Sequence, residues 1–385
     1  MPCPSATCSR HGAMAFDAVV IGAGPAGAVA ARTLAAAGWQ VALLEKNDFP
    51  RAKVCGEFLS TPSLAVLDGA GIGAAFRDRA GPAVTRIGLF AGEVAVTARP
   101  PRTAYGHALN RAMLDTLLRD AALQAGAVLF QPREVAAVLR QGNTWRTELA
   151  DGDTLLSPVV IAASGSWRTI PPFAIRRPER VCDLLAFKAH FRHDRLTPGL
   201  MPLLAFPGGY GGMVHSDGGR LSLSCCIRRD VLAAVRRPGE RAGDAVLRHL
   251  QGSTRGIREA LCDAALDGQM LAAGPIRPGI RPRFQDGIFF AGNLAGEAHP
   301  VIAEGISMAV QASDLLAKHL LVAGPRGNLE GAGAAYSADW LKRFGPRLVA
   351  ASCFAHAAIK LRRMGAGMVK HAPAMLRWGA AISGK

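Results

Sequence analysis

The chain has 385 residues, half of them hydrophobic, which is enough for two or three packed units around a substantial core. No apolar run reaches the roughly 18 residues that would predict a membrane-spanning helix. A formal charge of +16 and an isoelectric point near 10.2 imply attraction to something acidic. With three Tyr, five Trp and no RNP-like, zinc-finger or helix-turn-helix signature, nucleic acid is not the expected partner, which leaves the anionic face of a membrane.

Residues 1–15 open with MPCPSATCSRHGA, which lacks the apolar core of a signal peptide and reads as a disordered tail, with Met14 a candidate start. Eight cysteines are too sparse for a disulfide scaffold, and neither Cys3/Cys8 nor Cys225-Cys226 has zinc-ligand spacing, so a cytoplasmic protein without a metal is expected. Phe16 to Lys46 then reads as a complete βαβ unit: a strand over Asp17 to Ile21, the turn Gly22-Ala-Gly24-Pro25-Ala26-Gly27, a helix to Ala37, and a second strand from Val41 to Leu44. Gly22 allows a tight turn, Gly24 lets a pyrophosphate approach the backbone, and Gly27 lets the helix pack closely on the strand. Glu45 is placed to accept hydrogen bonds from an adenosine ribose. The expected dinucleotide contacts are these three glycines with Pro25, Ala26, Glu45 and the neighbouring Lys46.

Residues 46 to 61 form a long irregular connection containing Lys53-Val-Cys55-Gly56-Glu57-Phe58, and connections of this length inside compact units are usually functional. Cys55 is there either for its thiol or as a small buried hydrophobe. Short helices are expected over residues 61 to 80, a hairpin from Thr85 to Ala98, and an amphipathic helix from His107 to Ala125. Arg111 near the start of that helix opposes the helix dipole, so it either has an anionic partner or is a plain surface residue. Ala127 to Ser164 reads as four strands, the last an apolar run ending at Ser164-Gly165 and placing Ser164 to Arg168 near the ligand. Pro171, Pro172 and Pro178 mark a crossing into strands over Leu184 to Arg192 and Leu203 to Arg229. Within these, Tyr210 and His215 are candidates to line a substrate cavity, and helices are expected from Gly239 to Leu266.

A second strand-to-glycine junction follows at Gly292-Asn293-Leu-Ala-Gly-Glu297-Ala-His299-Pro-Val-Ile-Ala-Glu304-Gly305-Ile306. Its backbone amides and the helix starting at Gly305 suit a second anchor for a flavin dinucleotide. His299 and Glu304 are either general acids or hold the turn. After a Gly-rich linker from Gly324 to Gly333, the stretch from Trp340 to the end carries nine Lys/Arg and no Asp/Glu. It reads either as a basic amphipathic surface for anionic lipid or as a helix capping the domain.

The GAGPAG unit with Glu45, the KVCGEFLS loop, Arg111 in LNRAMLDTLL and the GNLAGEAHPVIAEGISMA junction together resemble the FAD-dependent family that includes aromatic-ring hydroxylases and geranylgeranyl reductases. The Lys-x-Cys-Gly loop and the Tyr336-x3-Trp340-x3-Phe344-Gly-x-Arg347-Leu tail are similar to the geranylgeranyl-reductase branch. The resemblance implies an α/β fold: a Rossmann-like FAD-binding domain (16–80, 103–170, 271–325), an inserted β-sheet substrate domain (81–102, 171–270) and C-terminal basic helices (326–385). It also implies that Arg111, Cys55, Gly56, Gly292, Asn293, Gly305 and Ile306 join the cofactor contacts. Ser164-Gly165 and Gly292-Asn293 replace the hydroxylases' Asp-Gly and Gly-Asp pairs, which puts direct use of NADPH in doubt and leaves NAD(P)H or a partner reductase as electron donor.

The expected activity is oxidation or reduction of a hydrophobic phenolic or lipid-like molecule, with Cys55, Tyr210, His299 and Glu304 as catalytic candidates. Oxygen transfer is favoured over isoprenoid reduction because Phe206-Pro-Gly-Gly-Tyr210 lacks the tryptophan expected of isoprenoid reductases. A flavin-containing accessory protein docking on a membrane is the rival from another class.

Overall fold

The computed structural model describes residues 13–99, 106–166 and 178–360. Its centre is a six-stranded sheet in the order Phe284–Gln285, Ile288–Phe290, Val159–Ala162, Ala18–Ile21, Val41–Leu44, Val128–Phe130. All neighbours are parallel except the first pair, and Ala18–Ile21, Val41–Leu44 and Val159–Ala162 are buried throughout, as expected of strands covered on both faces. Strand order reverses at Ala18–Ile21, which has Val41–Leu44 on one side and Val159–Ala162 on the other. That switch point opens a crevice at the carboxyl ends of the strands.

The helix Pro25–Ala36 starts with proline in its first turn, where no backbone N–H is needed, and its run of small residues lets it pack against the later helix Gly305–Ala323. Gly38, at φ +89°, provides the left-handed step that ends it. The helix Leu329–Lys360 buries Tyr336, Trp340, Phe344 and Leu348 at a spacing of four, and the Tyr336 hydroxyl donates to the Phe290 carbonyl at 3.1 Å. A Cβ on Gly296 would lie 2.5 Å from the Trp340 ring, so only glycine leaves room for it. The apolar side of this helix is thus spent on the protein as far as Ala355, which fits the capping reading. Its basic residues Lys342 and Arg343 face outward, and residues 361–385 lie outside the described set.

A second sheet of eight strands runs Ala265–Leu266, Leu184–Arg192, Leu221–Arg228, Gly209–His215, Leu200–Phe206, Arg86–Ala91, Val94–Ala98, with Leu271–Ile276 also on Leu184–Arg192. One face, through Phe187, Leu223, Cys225 and Met213, is covered by the helices Ala242–Ser253 and Arg255–Ala260. The other face looks toward the dinucleotide unit and carries two rows of paired residues. One is Ala91, Ala205, Tyr210, Cys226, Ala186 and the next is Leu89, Leu203, Gly212, Ser224, Lys188.

Several expectations shift. Gly106–Ala108 is a strand paired with Phe58–Ser60, and the helix begins only at Arg111 because Asn110 caps it, its side-chain oxygen accepting from the Met113 N–H at 2.9 Å. Thr154–Ser157 is a fifth strand in the region read as four, paired with Thr144–Leu149. Helix starts at Arg229 rather than Gly239, and Ala265–Leu266 is extended. Leu271–Ile276 belongs to the second sheet rather than to the FAD-binding part, and the last helix begins at Leu329, inside the stretch read as a linker. Arg168, Pro171 and Pro172 lie outside the described residues. Among the described residues no helix is long and apolar enough to cross a membrane, and no group of metal-ligating side chains assembles.

Candidate active site

At the switch point, Gly22 takes φ +106° and a Cβ there would sit 2.7 Å from the Ala163 carbonyl oxygen, which brings the turn against Ala163 and Ser164. A Cβ on Gly27 would overlap the Gly22 carbonyl oxygen. Above Gly24, a Cβ would lie 3.7 Å from Arg51 Nη2 and 3.8 Å from Arg111 Nη2. Two guanidinium groups and the start of a helix therefore converge on one bare turn, the donor set that a pyrophosphate requires. Glu45, buried beside them, accepts from the Ala23 N–H at 3.1 Å, the Asn47 N–H at 3.0 Å and Arg51 Nη2 at 3.2 Å. Lys46 is exposed, and the cation that reaches the turn is Arg51 instead.

Arg111 does have its anionic partner. Asp115, one helical turn on, accepts from its Nε and Nη2 at 2.7 and 2.8 Å and lies 3.5 Å from Arg51. Burial would lower the Arg111 pKa, but Asp115 and the adjacent Cys55 outweigh it and hold it up. Lys53 is shifted down by burial and by the neighbouring Arg51 and Arg111. Cys55 is half-buried beside Arg111 and accepts from the Glu57 N–H at 3.4 Å. Gly56 runs against the second sheet, where a Cβ would meet Ser224 Oγ at 3.3 Å.

The late junction closes the same crevice. Gly292, at φ +61°, lies so near the first turn that its Cβ would be 3.0 Å from the Ala26 Cβ. The Asn293 amide donates to Ser166 Oγ at 2.8 Å, Ser166 donates to Glu297 at 3.0 Å, and Arg281 binds Glu297 at 2.9 Å. Asn293 is therefore tied into a side-chain network rather than left to face a ligand with its N–H2. The helix from Gly305 starts with open space around Gly305, while the Ile306 side chain is buried among Leu59, Leu109 and Val310, so only its backbone can face a cofactor. Glu304 is buried against Ser60, whose hydroxyl donates to it at 3.4 Å. There it sits beside the Ser60–Ser307 pair, at the residue that precedes the helix start.

Tyr210 and His299, 89 residues apart in sequence, meet as a buried pair with the phenol oxygen 2.5 Å from His299 Nδ1. Tyr210 projects from the sheet face that looks toward the dinucleotide unit, and His299 comes from the late junction. Burial pushes the phenol pKa well above its usual range, with Cys226, Cys225 and Glu297 acting in the same direction. Around them Leu184, Ala186, Ile276 and Val301 form an apolar wall. Farther along the same strand, His215 pairs instead with Asp194 at 3.1 Å. A separate cavity of about 410 Å³, lined by Val29, Arg32, Val66 and Lys318 among others, lies on the outer side of the first helix and includes none of these residues.

The residues present fit FAD: a bare glycine turn, two converging guanidiniums, a buried acid at the ribose position, and a second glycine junction that touches the first. The profile of the family described as "FAD binding domain" matches residues 15–327. Conditioned medium factor receptor 1 of Dictyostelium discoideum is 28% identical over 369 residues, 86% of this chain and 68% of that protein. Digeranylgeranylglycerophospholipid reductase 2 of Methanopyrus kandleri is 28% identical over 305 residues, 76% of this chain and 74% of that protein. The flavin-dependent brominase Bmp2 shares the fold, with a TM-score of 0.80 over 96% of this chain and 94% of that one at 19% identity. The chain belongs to the FAD binding domain family of FAD-dependent oxidoreductases, and FAD is its cofactor.

Proposed function

We propose that the chain reduces a carbon–carbon double bond of a hydrophobic, isoprenoid-like molecule lodged between the FAD unit and the second sheet. The observation that carries this is the buried Tyr210–His299 pair on the sheet face turned toward the cofactor. Saturating a double bond requires a hydride on one carbon and a proton on the other. FAD, when bound, supplies the hydride chemistry, drawing its electrons from NAD(P)H or a partner reductase.

The chain's own residues do the rest. Arg51, Arg111 and the amides from Gly22 to Gly27 would hold the pyrophosphate, Glu45 the adenosine ribose, and the amides from Gly292 to Gly305 the ribityl side. Cys55 and Gly56 would border the reacting ring. With the imidazole hydrogen on Nδ1, His299 donates to the phenol oxygen of Tyr210 and steadies it as the O–H proton leaves for the substrate carbon. Burial keeps the Tyr210 phenol protonated, so it has a proton to give once hydride transfer leaves the neighbouring carbon basic, and the His299 hydrogen bond offsets the reluctance of the buried phenol to ionise. The relative named as a digeranylgeranylglycerophospholipid reductase supports a lipid-like isoprenoid substrate.

Oxygen transfer to a phenol, the reading the sequence favours, stands second. It would ask Tyr210 to start ionised in order to take a proton from the substrate, and burial disfavours that form. The test is to incubate reduced holoprotein with polyprenyl quinones and geranylgeranyl lipids, once anaerobically and once under labelled O2, and to weigh the products. A gain of two hydrogens is expected; oxygen from labelled O2 in the product, with no anaerobic hydrogenation, would overturn the proposal. Such a substrate suits a cytoplasmic protein touching an anionic membrane through Lys342, Arg343 and the basic tail. Flotation with anionic liposomes, lost on neutralising Lys342 and Arg343 and removing residues 361–385 while the buried Trp340 and Phe344 are kept, checks that contact.

A further inference from the structure

Glu57 has no part in the chemistry above, yet its carboxylate is held in the interior by three donors from two structural units. It is fully buried, and its backbone takes φ +63°, a left-handed conformation that a non-glycine residue keeps only when its surroundings enforce it. One carboxylate oxygen pairs with Lys188 Nζ and accepts the Arg111 backbone N–H at 3.3 Å, and the other meets His190 Nε2 at 2.8 Å. Its backbone carbonyl accepts the Leu109 N–H at 3.2 Å, and its own N–H donates to Cys55 Sγ at 3.4 Å. Lys188 and His190 lie two residues apart on the second sheet, on the face toward the FAD unit, and Lys188 Nζ also reaches the Lys53 carbonyl at 3.5 Å. Burial opposes the charge on Glu57, but the hydrogen bond from His190 and the charge of Lys188 outweigh it and keep the carboxylate ionised.

We infer that Glu57 is a positioning residue that pins the Cys55–Gly56 segment between the Arg111 helix and the second sheet, and so sets the exposure of the Cys55 thiol beside the flavin. The carboxylate sits two residues after the thiol, and its partners come from both structural units. Nothing else among the hydrogen bonds of the described residues joins the 53–57 segment to both sides at once. The inference rests on the FAD-site reading only for what the loop lies beside; the measurement below needs no turnover, so it can fail independently of the proposed reaction.

The experiment compares iodoacetamide labelling of each cysteine, by peptide mass spectrometry, in FAD-loaded wild type, Glu57→Gln, the doubly neutral Glu57→Gln/Lys188→Met, and His190→Gln. Glu57→Gln leaves Lys188 buried without its counter-charge and is the variant most prone to misfold. The double variant removes that charge, and His190→Gln replaces a single partly buried partner with a neutral, weaker donor, so the comparison does not depend on Glu57→Gln folding. Buried Cys225 and Cys226 report general loosening and exposed Cys182, Cys262 and Cys353 report the reagent; all five serve as internal controls. Cys55 should label about tenfold faster in the folded double variant and to an intermediate degree in His190→Gln, as expected for loss of charge-assisted hydrogen bonds, with the controls unchanged. A Cys55 rate equal to wild type in folded variants overturns the inference, and so does a parallel rise at Cys225 and Cys226, which would report general loosening.

Discussion

Replacing Tyr210 by Phe removes one oxygen atom from a site that is 1% exposed and leaves the ring against Leu184, Ala186, Ile276 and Val301. What is lost is the 2.5 Å contact with His299 Nδ1. Removing one partner of a buried hydrogen bond costs about 1–3 kcal/mol, so the variant should fold with a modestly lower melting temperature and keep its FAD. The catalytic consequence should be much larger, because a positioned general acid typically contributes about 10²–10⁴-fold. Anaerobic stopped-flow separates the two half-reactions. Reduction of the bound flavin does not use Tyr210 and should proceed within about twofold of wild type, whereas reoxidation by a polyprenyl substrate should slow by about the general-acid factor. Wild-type reoxidation in a folded, FAD-loaded Tyr210→Phe protein would refute the assignment of the proton to this pair.

Gly27→Ala should abolish retention of FAD, read from visible absorbance after gel filtration, because the new methyl overlaps the Gly22 carbonyl oxygen and no side chain can yield. Gly212→Leu should leave flavin binding intact but raise the KM for a lipid substrate about tenfold; Gly212 faces the FAD unit, and its Cβ position has only the Pro202 carbonyl oxygen near it, at 3.4 Å. Trp340→Ala should cost about 3–5 kcal/mol in urea denaturation, the usual range for truncating a buried tryptophan. Asp217 is opposed by burial but held below the ordinary carboxylate range by Arg220, the Asn110 N–H and Ser216. Its contribution is therefore full above its unfolded pKa of about 3.9 and is lost as pH falls through the lower folded value. Asp217→Asn should lower stability at neutral pH and flatten the acid limb of a melting-temperature profile.

The parts legible in the sequence are those whose physics is local. Gly22, Gly24 and Gly27 announce their turn because only glycine fits a positive φ or a close backbone approach, and Tyr336, Trp340 and Phe344 announce a buried face by their spacing. Arg111 could be read as needing a partner from the helix dipole alone. Asp115, at the next turn of the same helix, is within reach of the same reasoning, whereas Arg51 gives no local sign that it folds back over Gly24. Tyr210 and His299 were recognisable as chemical types, but their pairing is a product of how the second sheet sits on the late junction. Glu57 and Lys188 are hidden for the same reason: 131 residues separate them, and neither charge looks buried until both are. Glu304 has the type and neighbourhood of an acid, but its contact with Ser60, 244 residues away in sequence, is not legible locally.

The Trp340 ring occupies the space that a side chain at position 296 would need, and His299 follows three residues later on the same stretch of backbone. The helix from Leu329 thus acts as a shim beneath the segment that carries the imidazole. Its thickness is set by one indole, and changing it would tilt His299 relative to Tyr210 without altering either residue. In a library selected for new substrates, activity changes should therefore surface at position 340 and its helical neighbours, remote from the reacting atoms. A truncation or fusion that disturbs this helix would detune the chemistry before it unfolds the protein.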